Sequence, residues 1–429
     1  MRAAYREVTI TPPPGVELGG YGFYRGRKNR GAHDDLYVRA LLLEGGGERA
    51  LVVVLDLLDV SERVVREVRG EVAEELGLDE RHVVLTATHT HYAPLTTRLR
   101  GIGEVDESYV DYVIRRVVEA CGGLAGRLTD VEPMYSEAPA KGVAFNRAVR
   151  GGPVDEVVRV LQLRAPSGPL VTLFNFSCHP VCVDVRTEDA SYASADWPGV
   201  AVRVVRERLG GAAAFLQGTC GDVDPVVAWG MRGFDAAEEV GRKVAAAVVE
   251  AAERLEPVGG ELRVASRPVR LSLQRLTYES IVDILAVFLR RLERVKPDVA
   301  MDMSNVLALV RFYRESVEEL RDLVRRGQPE FVEREVCAVR VGGAAMLFVP
   351  GEVFVELGMR VRGASPIERL MIVGYSGPYA GYIPTPDEFD RYGYAAYMVP
   401  MMLGWPPYDR NVGDALVEAC LDALSAVAE

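Results

Sequence analysis

The hydrophobic pattern repeats one arrangement three times. Two β-branched and aliphatic runs flank a glycine- or proline-rich turn, an amphipathic stretch follows, and a further β-run closes the unit. The first copy pairs residues 37–43 with 49–57 across Gly45-Gly46-Gly47, places a helix over 62–76 and returns as a strand over 82–88. The second pairs 157–163 with 169–176 across Pro166-Ser167-Gly168, then runs a helix over 198–209 and a strand over 212–217. The third pairs 333–341 with 344–349 across Gly342-Gly343, then a helix over 352–362 and a strand over 370–373. Alternation at period two reads as strand, and apolar positions spaced three and four apart read as helix. The prediction is an α/β fold of layered mixed β-sheets flanked by helices, built from three hairpin-helix-strand units in one domain spanning 1–429. Residues 273–328 interrupt it with two helical patterns, 278–294 and 305–325, broken at Lys296-Pro297-Asp298. This helical-hairpin insertion would serve as a lid, a dimer surface or a covering layer.

Equivalent strand ends carry unusual residue types. The hairpin exits give Asp56, His179 and Glu352, and the strands after the helices give His89, Asp222 and the Tyr379-Ala-Gly-Tyr382 segment. Ligands of open α/β sheets bind beyond the carboxyl ends of strands, so this set reads as one site. The chain has five histidines, and four of them lie in or beside the segments that end at His91 and His179. Neutral imidazole is the commonest protein ligand of zinc, and strand ends hold it rigidly. Solvated or core histidines are the bland reading of the same pattern.

Composition narrows the partners. A net charge of -12, with no basic patch carrying interleaved aromatics, argues against nucleic acid. No apolar run is long enough for an integral membrane segment, and the first residues lack the apolar core of an export signal, so a cytoplasmic location is expected. The six cysteines show no repeated CxxC spacing, which favours reduced thiols over a zinc ribbon or disulfide framework. Nothing in the pattern specifies an oligomeric state.

Eight segments, in order, resemble the amino-terminal catalytic domain of the neutral (non-lysosomal) ceramidases. They are Gly19-Gly-Tyr-Gly-Phe with Gly31-Ala-His-Asp, Ala87-Thr-His-Thr-His-Tyr-Ala-Pro94, Phe145-Asn-Arg147, the His179 segment, Ser194-Ala-Asp-Trp-Pro-Gly199, Gln217-Gly-Thr-Cys-Gly-Asp-Val-Asp-Pro225, Pro350-Gly-Glu352 and the stretch from Tyr379 to Phe389. The resemblance implies a catalytic zinc ion held by His89, His179, Glu352 and Tyr382, a donor set that leaves room for a water. It also implies catalytic roles for Arg147 and Tyr394, which would steady the oxyanion formed from an amide carbonyl. Taken alone, Arg147 would read as a surface salt bridge and Tyr394 as core packing. On an extended strand His91 would lie about 6 to 7 Å from His89, so it is expected to be a hydrogen-bond donor beside the metal, a substrate contact or a structural residue.

One position departs from the pattern. The family's Gly-Asp-Val-Ser-Pro motif carries a serine needed for activity, and here the motif reads Gly221-Asp-Val-Asp-Pro225. Asp224 cannot act as a hydroxyl nucleophile, but it suits a general base for water or a metal ligand. Asp222 is expected to cap its loop or orient a histidine. The end of the chain at Glu429 leaves no room for the family's immunoglobulin-like domain, and with the missing export signal this lowers the expectation for ceramide itself. The expected activity is zinc-dependent hydrolysis of a C–N bond in a small-molecule or acyl-amide substrate. Its rivals are a true ceramidase or N-acyl lipid amidase, a non-catalytic zinc-binding scaffold, and a thiol enzyme built on Cys220.

Overall fold

The computed structural model describes residues 1–24, 26–292 and 303–428. Each predicted unit forms. In the first, Tyr37–Gly45 and Glu48–Leu55 make an antiparallel hairpin, the helix Glu62–Leu76 crosses over, and Val83–Ala87 pairs in parallel with Glu48–Leu55. The second repeats this with Val157–Ala165, Gly168–Phe176, the helix Asp196–Leu209 and the parallel strand Ala212–Gln217. The third uses Phe331–Val341, Ala344–Phe348, the helix Val355–Ala364 and the parallel strand Arg369–Val373.

Further strands enlarge each sheet beyond the sequence prediction. Arg2–Thr9 pairs with Tyr37–Gly45, Glu132–Pro139 with Val157–Ala165, and Leu262–Ser272 with Phe331–Val341, all antiparallel. These strands mix charged and apolar residues, so their alternation is weak until a partner covers one face. The last pairing explains the insertion. Ser272 stands opposite Phe331 at the end of the ladder, so the intervening helices Tyr278–Leu292 and Met303–Arg326 leave and rejoin the sheet at one point. The predicted break at Lys296-Pro297-Asp298 lies outside the described residues.

The strands are apolar on both faces because both faces are covered. In the first hairpin Leu41, Leu43, Val52 and Val54 join a central core with Leu161, Leu173, Leu216, Val339, Met346 and Met371 from the other sheets. The alternate residues Leu42, Leu51, Val53 and Leu55 pack outward beneath the helices. The first crossover helix shows how the local sequence sets its limits. Ser61 accepts a hydrogen bond from Val64 N, Val64, Val65, Val68, Val72 and Leu76 form the buried stripe, and Gly77 ends the helix at φ +63°.

Polar side chains stitch the three sheets where their strands end. Thr86 Oγ1 donates to Gly374 O at 2.9 Å, joining the first sheet to the third. Gln217 Nε2 donates to Thr88 O at 3.1 Å, joining the second to the first. Asn175 Nδ2 donates to Ile372 O at 3.0 Å, joining the second to the third. Among the described residues no helix is long and apolar enough to cross a membrane. All six cysteines are free and buried.

Candidate metal centre

His89, His179 and Glu352 meet at this junction, one from each of the three units. The strand Val83–Ala87 stops two residues before His89, which turns into the left-handed region at φ +66° while its N–H donates to Leu57 O at 2.9 Å. That turn aims the ring inward. Its Nδ1 lies 2.6 Å from Leu58 O, a contact that fixes Nδ1 as the protonated nitrogen and leaves the Nε2 lone pair free. His179 repeats the device, with its N–H on Val223 O and Nδ1 2.6 Å from Cys220 O. Both Nε2 atoms lie 3.2 Å from Glu352 Oε2. Glu352 is fixed in turn by Tyr379, whose hydroxyl donates to Oε1 at 2.5 Å, and by its parallel pairing with Tyr382.

His91 corrects an expectation from strand geometry. Because His89 leaves the extended conformation, the Nε2 atoms of His89 and His91 approach to 3.3 Å instead of lying a strand repeat apart. The ligand atoms of His89, His91 and His179 all fall within 4.8 Å of one another, and all three residues are buried. His91 differs from the other two in having no hydrogen-bond partner on its buried Nδ1. Gly20 lies against that ring, and a Cβ there would come within 2.8 Å of Nδ1.

Burial and neighbouring charge disfavour protonation of His91 and His179 and favour an ionised Glu352. Burial pushes the His179 imidazolium down, and the charge of Arg147 pushes the same way. Burial likewise lowers His91 well below its ordinary value, helped by His89 and His179. Burial alone would raise Glu352, but the two imidazoles outweigh it and hold the carboxyl well below the usual range. Burial drives the Tyr382 phenol up, against the pull of Arg147. Inward-facing imidazole lone pairs around one carboxylate form the donor chemistry a zinc ion uses.

Arg147 and Asp224 sit on the other side of His179. Arg147 Nη1 donates to Asp224 Oδ1 at 3.0 Å, while Nη2 donates to Gly221 O and to the Tyr382 hydroxyl, each at 2.8 Å. Asp224 Oδ1 lies 3.9 Å from His179 Nδ1, the nitrogen that faces away from Glu352. The short strands Ala144–Asn146 and Val223–Pro225 pair antiparallel and set this contact. Tyr394 is partly exposed, and its ring meets that of Tyr382 edge-on at 6.0 Å.

The other strand-end acids lie elsewhere. Asp56 forms a buried ion pair with Arg39 at 2.7 Å and accepts from Tyr37 N, so it braces the first sheet and takes no part in the cluster. Asp222 ties its loop to its neighbours, accepting from Asn146 Nδ2 at 2.7 Å and from Val355 N at 2.8 Å. The Cys220 thiol lies 3.1 Å from the Tyr375 hydroxyl, and burial raises it well above the ordinary thiol range. Tyr375 escaped the sequence reading. It holds φ +56° and stacks on His89 with centroids 4.1 Å apart. Its position just past the strand Arg369–Val373 was the available signal.

Above the cluster opens a cavity of about 730 Å³. His91, Arg147, Asp224 and Tyr382 contribute to its polar part, while Tyr21, Phe23, Phe145, Trp229, Phe354 and Tyr394 supply aromatic walls.

No protein-family model matches the chain, and no curated protein matches it either. Solved structures do match, two ceramidases among them. Neutral ceramidase from Pseudomonas aeruginosa matches with a TM-score of 0.76 and 21% identity, over 100% of this chain and 74% of that one. A ceramidase complexed with C2 matches with a TM-score of 0.75 and 19% identity, over 99% of this chain and 74% of that one. The mixed sheets that bring His89, His179 and Glu352 together are thus arranged in the fold of neutral ceramidase.

Proposed function

We propose that the protein is a zinc-dependent hydrolase of uncharged N-acyl amides. One observation carries the reading: His89 and His179, each oriented by a backbone carbonyl, both present Nε2 to the same oxygen of Glu352. His89, His179, Glu352 and Tyr382 would hold the ion. Zinc bound there would supply Lewis acidity and a water acidic enough to attack at neutral pH.

The chain's own residues define the remaining roles. His91 faces the cluster with Nε2 and reaches the cavity, so it can hold or pass a proton between the nucleophile and the leaving nitrogen. Arg147 is fixed by three acceptors and, with Tyr394 at the wall, can stabilise negative charge on the carbonyl oxygen. Asp224 is assigned to holding Arg147. Its Oδ1 is committed to Arg147 Nη1 at 3.0 Å, which favours this assignment over the role of base or ligand read from sequence. The free, buried cysteines support a reducing, cytoplasmic setting.

The aromatic walls favour a second reading, an N-acyl lipid amidase, within the same chemistry. Elemental analysis of the purified protein, a chelator titration and a screen of N-acyl and ester substrates test the proposal together. The expected result is about one zinc per chain and amide hydrolysis lost with the metal and restored by it. Protein free of any transition metal, or hydrolysis that survives complete metal removal, would overturn it.

A further inference from the structure

The two inserted helices, Tyr278–Leu292 and Met303–Arg326, each bury one face and turn the other away from the body. Thr277 and Ser280 start the first by reciprocal capping. Thr277 Oγ1 accepts from Ser280 N, and Ser280 Oγ accepts from Thr277 N at 2.9 Å. Ile281, Ile284 and Phe288 from that helix meet Leu309, Phe312 and Tyr313 from the second in one apolar cluster. Phe288 stacks on Tyr313 with centroids 4.3 Å apart, and Phe312 meets Phe23 of the cavity wall edge-on at 5.3 Å. Arg100 ties down the second helix, donating to Glu319 Oε1 at 2.6 Å and to Ser316 Oγ at 3.1 Å. The inner face therefore has its partner.

The outer face is apolar as well. Val282 is 63% exposed and Leu289 52%, and on the second helix Leu307 is 57% and Val310 44% exposed. Val282, Ala286 and Leu289 follow one another at spacings of four and three residues, so they form one stripe along the outer side of the first helix. Solvent does not call for such a stripe, which is the seam pattern by which one helix packs along another. Asp283 and Arg290 are both exposed, and each directly follows a stripe residue. They therefore flank the stripe on the same side, two turns apart, with opposite charges. A surface of this kind is complementary to itself. When two such helices run antiparallel about a two-fold axis beside Ala286, Val282 meets Leu289 of the second copy, Asp283 meets its Arg290, and the symmetry repeats both contacts. Parallel packing would instead set aspartate against aspartate and arginine against arginine. An anionic lipid surface fits less well, because it repels Glu279 and Asp283, which stand exposed on this face.

We infer that the outer face of the helical hairpin is a docking surface for a second copy of this chain, with the two Tyr278–Leu292 helices antiparallel at its centre. The inference does not depend on the reaction proposed above. The first helix, of 15 residues, is about 22 Å long, and two helices side by side are about 20 Å wide, a footprint of roughly 450 Å² per copy. That is small for a specific interface, so association is expected in the micromolar range.

Sedimentation velocity on the full chain, from about 1 to 200 µM, tests it, and the mass should move from one chain toward two across that range. Leu289→Ser, Asp283→Arg and Arg290→Asp should each weaken association by about tenfold, the charge variants because symmetry turns both ion pairs into like-charge contacts. All three positions are exposed, so the circular dichroism of each variant should match wild type. Asp283→Arg combined with Arg290→Asp in one chain should restore association to within about threefold of wild type, as should an equimolar mixture of the two single variants. A monomer at every concentration, association untouched by Leu289→Ser, or charge variants that the exchange does not rescue would overturn the inference. So would binding of monomeric protein to phosphatidylcholine–phosphatidylglycerol vesicles that Leu289→Ser abolishes, since the face would then belong to a membrane.

Discussion

Arg147 and Asp224 form an ion pair at 3.0 Å, and the same guanidinium reaches the Tyr382 hydroxyl at 2.8 Å. Asp224 therefore acts on a residue that lines the cavity. If Asp224 positions Arg147, its removal and that of Arg147 cannot act independently. Asp224→Asn should keep zinc and lower kcat, and Asp224→Asn combined with Arg147→Lys should be little worse than Arg147→Lys alone. A general base would instead give a loss of roughly two to four orders of magnitude that multiplies with the arginine change. Steady-state kinetics on the four proteins, with zinc content as control, separates these cases.

His89 and His179 should prove unequal to His91 in metal binding. The first two have Nδ1 committed to backbone carbonyls, an orientation that supports a ligand, and His91 has none. His89→Ala and His179→Ala should weaken zinc binding by at least about a hundredfold, whereas His91→Ala should bind within about tenfold of wild type. Competition with a chromophoric chelator measures all three. Equal losses across the set would make His91 a full ligand.

Cys220 should be dispensable. Its thiol is buried beside the Tyr375 hydroxyl, and burial raises it well above the ordinary range, so little thiolate forms at neutral pH. Cys220→Ala should retain the proposed activity within about tenfold, and iodoacetamide should abolish that activity slowly or not at all. Complete loss of turnover with zinc and fold intact would revive the thiol mechanism.

Asp34 gives a pH signature away from the cluster. Burial pushes its carboxyl up to about 6, while Ser194 and the N–H of Ala195 bind it and pull the other way. The folded state thus holds this proton more tightly than the unfolded chain does. Stability contributed here is fully present below about pH 3.8, falls as pH rises through about 6, and stays reduced above that. Asp34→Asn removes the titration. Relative to wild type its stability should improve between pH 4 and pH 7 by on the order of 2 kcal/mol, read from urea midpoints at each pH. A constant gap across that range would show that Asp34 titrates normally.

Much of this was legible in the sequence because strands covered on both faces are almost continuously apolar, and glycine-rich turns mark their hairpins. His89, His179 and Glu352 could be located because each follows such a strand. The same rule also selected Asp56, since a buried acid that braces Arg39 and one that faces a metal occupy equivalent strand ends. What distinguishes them is the arginine on the neighbouring strand, a cross-strand relation that the local pattern does not carry. The approach of His91 was missed for a different reason. It depends on His89, the first of the histidine pair, adopting the left-handed region, where extended spacing was the natural assumption. Trp229 and Tyr375 owe their settings to similar backbone turns and to partners far away in the chain.

The polar stitches among Thr86, Gln217 and Asn175 also bear on how the protein matures. Two of the three connect to the strand Arg369–Val373 or the residue just after it, and Glu352 arrives from that same third unit. A nascent chain that has folded its first two sheets already holds both histidines but has no carboxylate between them. If the cluster binds zinc as proposed, its full affinity is expected only once the last sheet docks. An ion captured at full strength would report that all three parts of the chain have come together, making metal uptake a late checkpoint of assembly.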